Sequence, residues 1–208
     1  MKNEKTEPAP KLYRSGLTVS GLTMISRVLG MARDICIANF FGSGVATDAF
    51  ILSFRIPNLF RRLFAEGAFS QAFVPVLTEY KEIHPHQKVK SLVNRTMGSL
   101  GLILLLFTLL GMVFSEAIVS LFAPGYVYAE ASDKLKLSSE LLQITFPYLF
   151  LISMTALSAG VLNSYGKFAA PAFSPALLNL CLISSALFLR ERFDEPIFAL
   201  AWGVLSLI

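Results

Sequence analysis

Charged residues are scarce in this chain. Asp, Glu, Lys and Arg make up 15% of its 208 residues, whereas an ordinary soluble domain has about 25%. Hydrophobic residues make up 54% of the chain, and its mean hydropathy is +0.62. This balance excludes an ordinary soluble domain and is typical of a membrane protein.

Cysteine and histidine are also scarce, with two residues of each type. Cys36 and Cys181 lie inside apolar runs and have no CxxC partner, so we predict buried, unpaired thiols. His84 and His86 share a polar loop that lacks the cysteines or carboxylates of a metal-binding frame. We therefore predict no metal site there.

The residue patterns of several functional classes are missing from the sequence. No serine, histidine and carboxylate are placed as a catalytic set, and no glycine-rich phosphate loop precedes a helix, so we do not expect an enzyme. No basic stripe alternates with aromatic residues, so nucleic acid is not an expected partner. No segment shows the two-residue alternation of a strand.

Long hydrophobic segments predict an all-α fold, a polytopic transmembrane helical bundle. The predicted spans cover residues 15–41, 46–80, 92–122, 135–163 and 171–189, and a last apolar run covers 196–208. That run has 13 residues, whereas a span needs about 20. We expect a cytoplasmic tail at 1–14 and an N-terminal six-helix lobe at 15–208, cut within its sixth span.

Proline predicts an interruption in the second span, which is too long for one straight crossing. Pro57 lacks the amide hydrogen that would bind the Ser53 carbonyl, so a kink or break is expected there. Exposed half-helix ends at membrane depth are a feature of transporter binding sites. A kink that serves packing alone is the alternative interpretation.

Lysine and arginine are distributed unequally between the two sets of loops. The tail and the loops on its side carry Lys2, Lys5, Lys11, Arg14, Lys81, Lys88, Lys90, Arg95 and Lys167, and the opposite loops carry Lys134, Lys136, Arg190 and Arg192. Positive residues concentrate in cytoplasmic loops, so this bias predicts a cytoplasmic N-terminus.

The stretch from residue 24 to residue 75 is apolar and yet unusually rich in charge. It contains five arginines and three acidic residues: Arg27, Arg33, Arg55, Arg61, Arg62, Asp34, Asp48 and Glu66. A charge at the bilayer centre costs between ~3 and ~15 kcal/mol, so such residues persist where they pair or line a wet cavity. Several of these residues are seven positions apart and therefore lie on the same face of a helix.

Pairing among these charges leaves two arginines in excess if all groups are ionised, and an anion could complete the neutralisation. Arginine binds phosphate through a planar fork and stays charged when partly desolvated. The alternative is that the outer arginines, such as Arg61 and Arg62, reach the lipid headgroups while the others pair with carboxylates. Arg55 is compatible with either position. The residues alone predict a cationic cavity for an anionic or amphipathic substrate.

Several motifs resemble those of one known family. The first block consists of SRVLGMARD at 26–34, ATDAF at 46–50 and PNLFRRLFAEGAFSQAFVP at 57–75. Later stretches are APG at 123–125, ITFPY at 144–148, LN at 162–163 and PAFSPALLN at 171–179. From about residue 15 to its end, the chain resembles the MurJ (MviN) family of lipid II flippases. This family belongs to the superfamily that also holds multidrug antiporters and oligosaccharide-lipid flippases.

The resemblance implies a fourteen-span protein in which two six-span lobes surround a central cationic cavity. Arg27, Arg33, Arg61 and Arg62 would bind the substrate pyrophosphate. A second set would line the cavity or act in gating: Ser26, Asp34, Asp48, Asn58 and Glu66. A further cavity arginine of the family lies in the second lobe, beyond residue 208.

The function implied by the resemblance is transport of lipid II, an undecaprenyl-pyrophosphate-linked disaccharide-pentapeptide, across the bacterial inner membrane by alternating access. Membrane potential would drive transport, with a coupled monovalent cation in some members and no resident cofactor. Membrane lipids and other cell-wall synthesis proteins are the further expected partners. The alternatives are a flippase for another polyprenyl-pyrophosphate-linked glycan, a cation antiporter, which the excess of arginine disfavours, and a truncated fragment that transports nothing.

Overall fold

The computed structural model of the chain describes residues 9–63, 68–128 and 132–206, and these residues form helices without any strand. The helices are α1 Ala9–Phe41, α2 Val45–Arg61, α3 Ala68–Ile83, α4 His86–Val113, α5 Ser115–Phe122, α6 Gly125–Tyr128, α7 Ser132–Thr145, α8 Pro147–Ser164, α9 Ala169–Phe188 and α10 Phe198–Leu205. A short 3-10 turn, Arg190–Arg192, precedes α10. The predicted all-α fold class is confirmed.

Three described segments are long and apolar enough to cross a membrane: His86–Val113, Ser132–Ser164 and Ala169–Phe188. They correspond to the third, fourth and fifth predicted spans. The first predicted span corresponds to α1, which carries Arg27, Arg33 and Asp34. The second is divided between two separate helices, α2 and α3. The last apolar run corresponds to the eight-residue α10. α1 begins at Ala9, earlier than the predicted start at 15. A proline in its first turn, Pro10, removes only an amide that no helical carbonyl would bind.

Of the kink or break expected at Pro57, the break is wrong, because α2 continues through Pro57 and ends at Arg61. The carbonyl of Ser53, which Pro57 leaves without its usual donor, accepts a hydrogen bond from Thr145 Oγ1 at 3.2 Å. Ser53 and Thr145 are both fully buried. The same Thr145 hydroxyl lies 2.9 Å from the Leu141 carbonyl of its own helix. Its single hydrogen is therefore shared, and α7 replaces the donor that Pro57 removes only in part.

The core is centred on α7, which contacts α2, α4, α5, α6, α8 and α10. Buried apolar side chains form three clusters along the molecule. By contrast, α4 leaves Leu102, Ile103, Leu106, Leu109 and Leu110 exposed. An apolar face of this kind fits a helix whose solvent is lipid.

α1 packs along α9, and its opposite side remains exposed at Met24, Val28, Met31 and Ile35. Cys36 and Cys181 lie on these two helices. Both thiols are free, as predicted, but they are half-buried rather than fully buried.

Contacts between the connecting segments define two ends of the helical bundle. At one end, Lys81 Nζ donates to the Ser164 carbonyl at 2.5 Å and lies 4.8 Å from the centre of the Tyr165 ring. We call this the Lys81 end. At the other, the Arg190 end, the Arg190 guanidinium lies 4.3 Å from the centre of the Phe40 ring.

The start of α7 also lies at the Arg190 end, as the contacts of Lys134 show. Lys134 Nζ lies 4.0 Å from Asp48 Oδ2 and 5.8 Å from the centre of the Tyr126 ring. The turn after α1, the segment before α7 and the turn after α9 therefore share one end. This arrangement matches the predicted alternation of loops.

Candidate functional site

Two adjoining cavities open between α1, α2, α3, α8 and α9, and the residues Arg33, Phe54 and Arg55 line both of them. The larger has a volume of about 1010 Å³, and the smaller has a volume of about 470 Å³. We call the larger the arginine cavity, after Arg33, Arg55, Arg61 and Arg62. We call the smaller the aspartate cavity, after Asp34 and Asp48.

The arginine cavity carries a strong positive charge. One arginine comes from α1, and the other three come from α2 and the residue that follows it. None of the lining residues that the structure describes is acidic. Like charges repel more strongly where the surroundings are apolar, and this wall therefore favours an anionic ligand or water.

Uncharged polar side chains from other helices complete the lining of the arginine cavity. They are Asn58 on α2, Gln71 on α3, Thr155 and Asn163 on α8, and Ser174 on α9. The remaining lining is apolar and includes Tyr148, Ile152 and Leu178. The cavity thus presents cations, neutral hydrogen-bonding groups and apolar surface to one ligand.

Arg33 is held in place by two neighbours. Its Nε and Nη2 donate to Asp34 Oδ1 at 3.0 and 2.6 Å, and its Nη1 donates to Asn179 Oδ1 at 2.9 Å. The Arg33 side chain is 25% exposed, whereas that of Asp34 is 67% exposed. Asn179 Nδ2 in turn donates to the Ser26 carbonyl at 3.1 Å.

The aspartate cavity lies toward the turn between α1 and α2. Thr47 Oγ1 donates to the Gly42 carbonyl at 2.9 Å and thereby fixes that turn. Asp48 follows Thr47 in the first turn of α2, where a carboxylate interacts favourably with the helix N-terminus. This cavity contains both signs of charge, because Arg33 and Arg55 line it as well.

The structure brings most of the predicted site residues together. Arg33, Arg61, Arg62 and Asn58 line the arginine cavity, and Asp34 and Asp48 line the aspartate cavity with Arg33. Arg55, whose position the sequence leaves open, lines both cavities.

Two predicted site residues are placed differently, and a third falls outside the described part of the chain. Arg27 is exposed and lines neither of the two described cavities. Ser26 lines neither cavity and contributes its backbone carbonyl to the contact with Asn179. Glu66 lies outside the described residues. The functional roles of all these residues stay predictions.

Sequence reasoning missed Asn179, which appears there only as the last residue of a matching motif. Asn179 is an amide within the apolar helix α9, where a polar side chain is costly unless it is paired or used. The signal used for the arginines, a charge in an apolar segment, does not single out a neutral amide. The sequence does not reveal its partner, because Arg33 lies 146 positions earlier.

Comparison with known proteins shows similarity to one family. The family model described as "Lipid II flippase MurJ" matches residues 37–206. The probable lipid II flippase MurJ of Vibrio cholerae is 46% identical to the chain, and the match covers 93% of this chain and 38% of that protein. The lipid II flippase MurJ of Burkholderia cenocepacia is 44% identical, with 93% of this chain and 37% of that protein covered.

A solved structure, "Lipid II flippase MurJ, inward closed conformation", resembles the chain with a TM-score of 0.74 and 29% identity. The match covers 92% of this chain and 40% of that structure. The fold and the comparisons define a multi-pass helical membrane protein. The chain belongs to the MurJ family of lipid II flippases. It spans less than two-fifths of the length of these relatives.

Proposed function

We propose that the protein containing this chain is a lipid II flippase that supplies precursor for peptidoglycan synthesis. The observation that carries the proposal is the arginine cavity, in which four arginines meet with no acidic residue among the described lining. The family to which the chain belongs supports the same substrate.

The chemistry of the cavity suits a pyrophosphate-linked headgroup. Arginine forks bind phosphate oxygens in pairs and remain charged when water is partly removed. Placing several arginines at membrane depth is costly without a compensating anion or water. The polyprenyl chain would stay in the lipid, while the sugars and peptide of lipid II would occupy the cavity.

The uncharged polar lining gives the sugars and peptide hydrogen-bonding partners. Gln71 and Asn163 each offer donors and an acceptor, and Thr155 and Ser174 offer hydroxyl groups. A cavity of about 1010 Å³ lies at the upper end of the usual range for ligand sites, about 300–1,000 Å³. The cavity is thus large for a phosphate alone.

The proposed transport takes place in the bacterial inner membrane with the N-terminus in the cytoplasm, as the bias of lysine and arginine predicts. The headgroup crosses by alternating access, and no covalent bond is made or broken. The cavity is positive, so membrane potential can act on it, with about 2.3 kcal/mol per charge moved across 100 mV. A monovalent cation is the proposed coupling ion, no resident cofactor takes part, and other cell-wall synthesis proteins are candidate partners.

Complementation tests the proposal. Bacteria depleted of their own lipid II flippase would receive the full-length reading frame that contains this chain, residues 1–208 alone, or an Arg33→Ala variant of the full-length protein. We expect growth and externalised lipid II with the full-length protein and neither with the other two. Arg95→Ala, on the exposed surface of α4, is the matched control and should behave like the unmodified protein.

Failure of a well-expressed full-length protein to restore lipid II externalisation would contradict the proposal. The first alternative would then be a flippase for another polyprenyl-pyrophosphate-linked glycan, since the arginine wall fits the pyrophosphate that such carriers share. Rescue by residues 1–208 alone would instead show that the six-helix lobe is sufficient.

A further inference from the structure

Asn179 occupies an unusual position between two helices. Its side chain is 6% exposed and lies in α9, and both ends of its amide contact α1. Oδ1 accepts a hydrogen bond from Arg33 Nη1 at 2.9 Å, and Nδ2 donates to the Ser26 carbonyl at 3.1 Å. Ser26 and Arg33 are seven residues apart and therefore share one face of α1.

The chemistry of the two partners fixes the orientation of the Asn179 amide. A guanidinium can only donate hydrogen bonds, and a backbone carbonyl can only accept them. Turning the amide over would place two donors together at Arg33 and two acceptors together at Ser26. The amide therefore has one favourable orientation, with its oxygen toward Arg33.

The contacts of Arg33 leave part of its guanidinium available to a ligand. Of its five N–H groups, three donate to Asp34 and Asn179. The remaining two belong to Nη1 and Nη2, and Arg33 lines the arginine cavity. Because Nη1 also binds Asn179, the position of the amide sets the direction of an N–H group that a phosphate oxygen would meet.

We propose that Asn179 is a positioning residue of the arginine cavity, which orients the Arg33 guanidinium toward an anionic headgroup. This inference rests on the proposed function. A neutral amide suits the role, because it orients the guanidinium without adding to the negative charge that Asp34 already places beside it. A second carboxylate at this place would compete further with the ligand for Arg33.

A double-mutant cycle in the full-length protein tests the proposal. Asn179→Ala, Arg33→Ala and the double variant would be purified in lipid nanodiscs, and the dissociation constant of undecaprenyl pyrophosphate would be measured for each. We expect Asn179→Ala to weaken binding about tenfold. In the Arg33→Ala background, the same change should alter binding by no more than about twofold.

Asn94→Ala, an exposed change on α4, is the matched control and should bind as the unmodified protein does. Equal losses from Asn179→Ala in both backgrounds would overturn the proposal, because Asn179 would then support the packing of α1 on α9 rather than Arg33. Unchanged binding by Asn179→Ala in the unmodified background would overturn it as well.

Asn179→Asp keeps the size of the side chain and serves as the second variant if Asn179→Ala fails to accumulate. It retains an oxygen for Arg33, loses the donor to Ser26 and adds a negative charge. We expect weaker binding than in the unmodified protein, with a loss that shrinks as salt is raised. Binding equal to that of the unmodified protein would overturn the proposal.

The cycle separates this inference from the proposed function. If the unmodified protein does not bind undecaprenyl pyrophosphate, the proposed function fails and this inference fails with it. If the unmodified protein binds, Arg33→Ala weakens binding and Asn179→Ala does not, this inference alone is overturned.

Discussion

At the scale of the residue, the arginines are distinguished by their surroundings rather than by their spacing. The sequence places Arg27 and Arg33 in the same apolar segment, six residues apart and so on different faces of one helix, and both are predicted to belong to the site. The structure places Arg33 at both cavities, with Asp34 and Asn179 as partners, and leaves Arg27 exposed. Helical periodicity identifies a face, but it does not identify what the face meets.

Arg27 therefore offers a sharp test of the family resemblance. The resemblance assigns it to the pyrophosphate site, although it lines neither described cavity. We expect Arg27→Ala in the full-length protein to abolish lipid II flipping, since a charge at membrane depth persists where it is used. Membrane insertion should be unchanged, as judged by protein abundance in the membrane fraction.

The measurement is externalised lipid II in depleted bacteria, with Arg95→Ala as the control. Normal externalisation by Arg27→Ala would remove Arg27 from the predicted site. It would leave the arginine cavity and its four lining arginines untouched.

At the scale of the element, proline shows what a sequence can and cannot predict. The missing amide of Pro57 correctly identifies an orphan carbonyl at Ser53. Of the two consequences drawn from it, a kink or a break, the break is wrong, because α2 continues through Pro57 and the Thr145 hydroxyl of a different helix lies 3.2 Å from that carbonyl. The donor lies 92 positions away in the chain, so local sequence reasoning could not reach it.

The contact between α2 and α7 predicts that a change at Pro57 restores part of the stability lost by a change at Thr145. Thr145→Val removes the hydroxyl that lies 3.2 Å from the Ser53 carbonyl and 2.9 Å from the Leu141 carbonyl. It should destabilise the protein by about 1–2 kcal/mol, since the buried Ser53 carbonyl is left without a donor. Pro57→Ala returns an amide hydrogen to that carbonyl and should recover part of the loss in the double variant. The measurement is the midpoint of thermal unfolding of the purified protein in detergent.

Thr23→Val is the control for this cycle, because the Thr23 hydroxyl is exposed and donates to the Val19 carbonyl of its own helix at 2.8 Å. Its effect should stay within about 0.5 kcal/mol. Additive effects of Thr145→Val and Pro57→Ala would show that the two residues do not share the Ser53 carbonyl.

Glycine provides a second test at this scale, within α4. A Cβ atom at Gly111 would overlap the ring of Phe146, whereas a Cβ atom at Gly98 would meet nothing within 4 Å. Phe146 is fully buried, with the Phe107 and Phe60 rings 6.2 and 6.3 Å away between centres, so its ring has little room to move.

We expect Gly111→Ala to lower the stability of the protein by about 1–3 kcal/mol, the usual cost of overpacking a core. Gly98→Ala should instead raise it by about 0.5–1 kcal/mol, because alanine favours a helix more than glycine does. Thermal unfolding of the two variants side by side provides the comparison. Equal shifts in both would contradict the observed packing of α4 on Phe146.

At the scale of the whole molecule, hydropathy was sufficient to predict the helical class and three of the spans. It could not predict the cavities, because their walls combine α1 and α2 with helices more than 80 positions further along the chain. The excess of arginine between residues 24 and 75 predicts a cationic cavity, and the family resemblance, through the motifs at 26–34 and 57–75, implies which residues line it. The uncharged polar wall carries no comparable signal in the sequence, since isolated Thr, Ser and Asn residues occur in many spans.

The two ends of the bundle lead to a prediction about orientation. Contacts place the turn after α3 with the turn after α8, and the turn after α1 with the turn after α9. The first end carries the greater positive charge, so it should face the cytoplasm. Cys36 and Cys181 would first be replaced by alanine, and single cysteines would then be introduced at exposed positions. These are Gln87 and Lys167 at the Lys81 end, and Ser43 and Glu195 at the Arg190 end.

A membrane-impermeant maleimide added to spheroplasts should label the cysteines at 43 and 195 and spare those at 87 and 167. Disrupted membranes, in which all four should react, control for accessibility. The reverse pattern would invert the orientation and with it the direction in which the arginine cavity first meets its ligand. A mixed pattern within either pair would contradict the two-ended arrangement itself, since Lys81 with Ser164 and Arg190 with Phe40 could not then be neighbours.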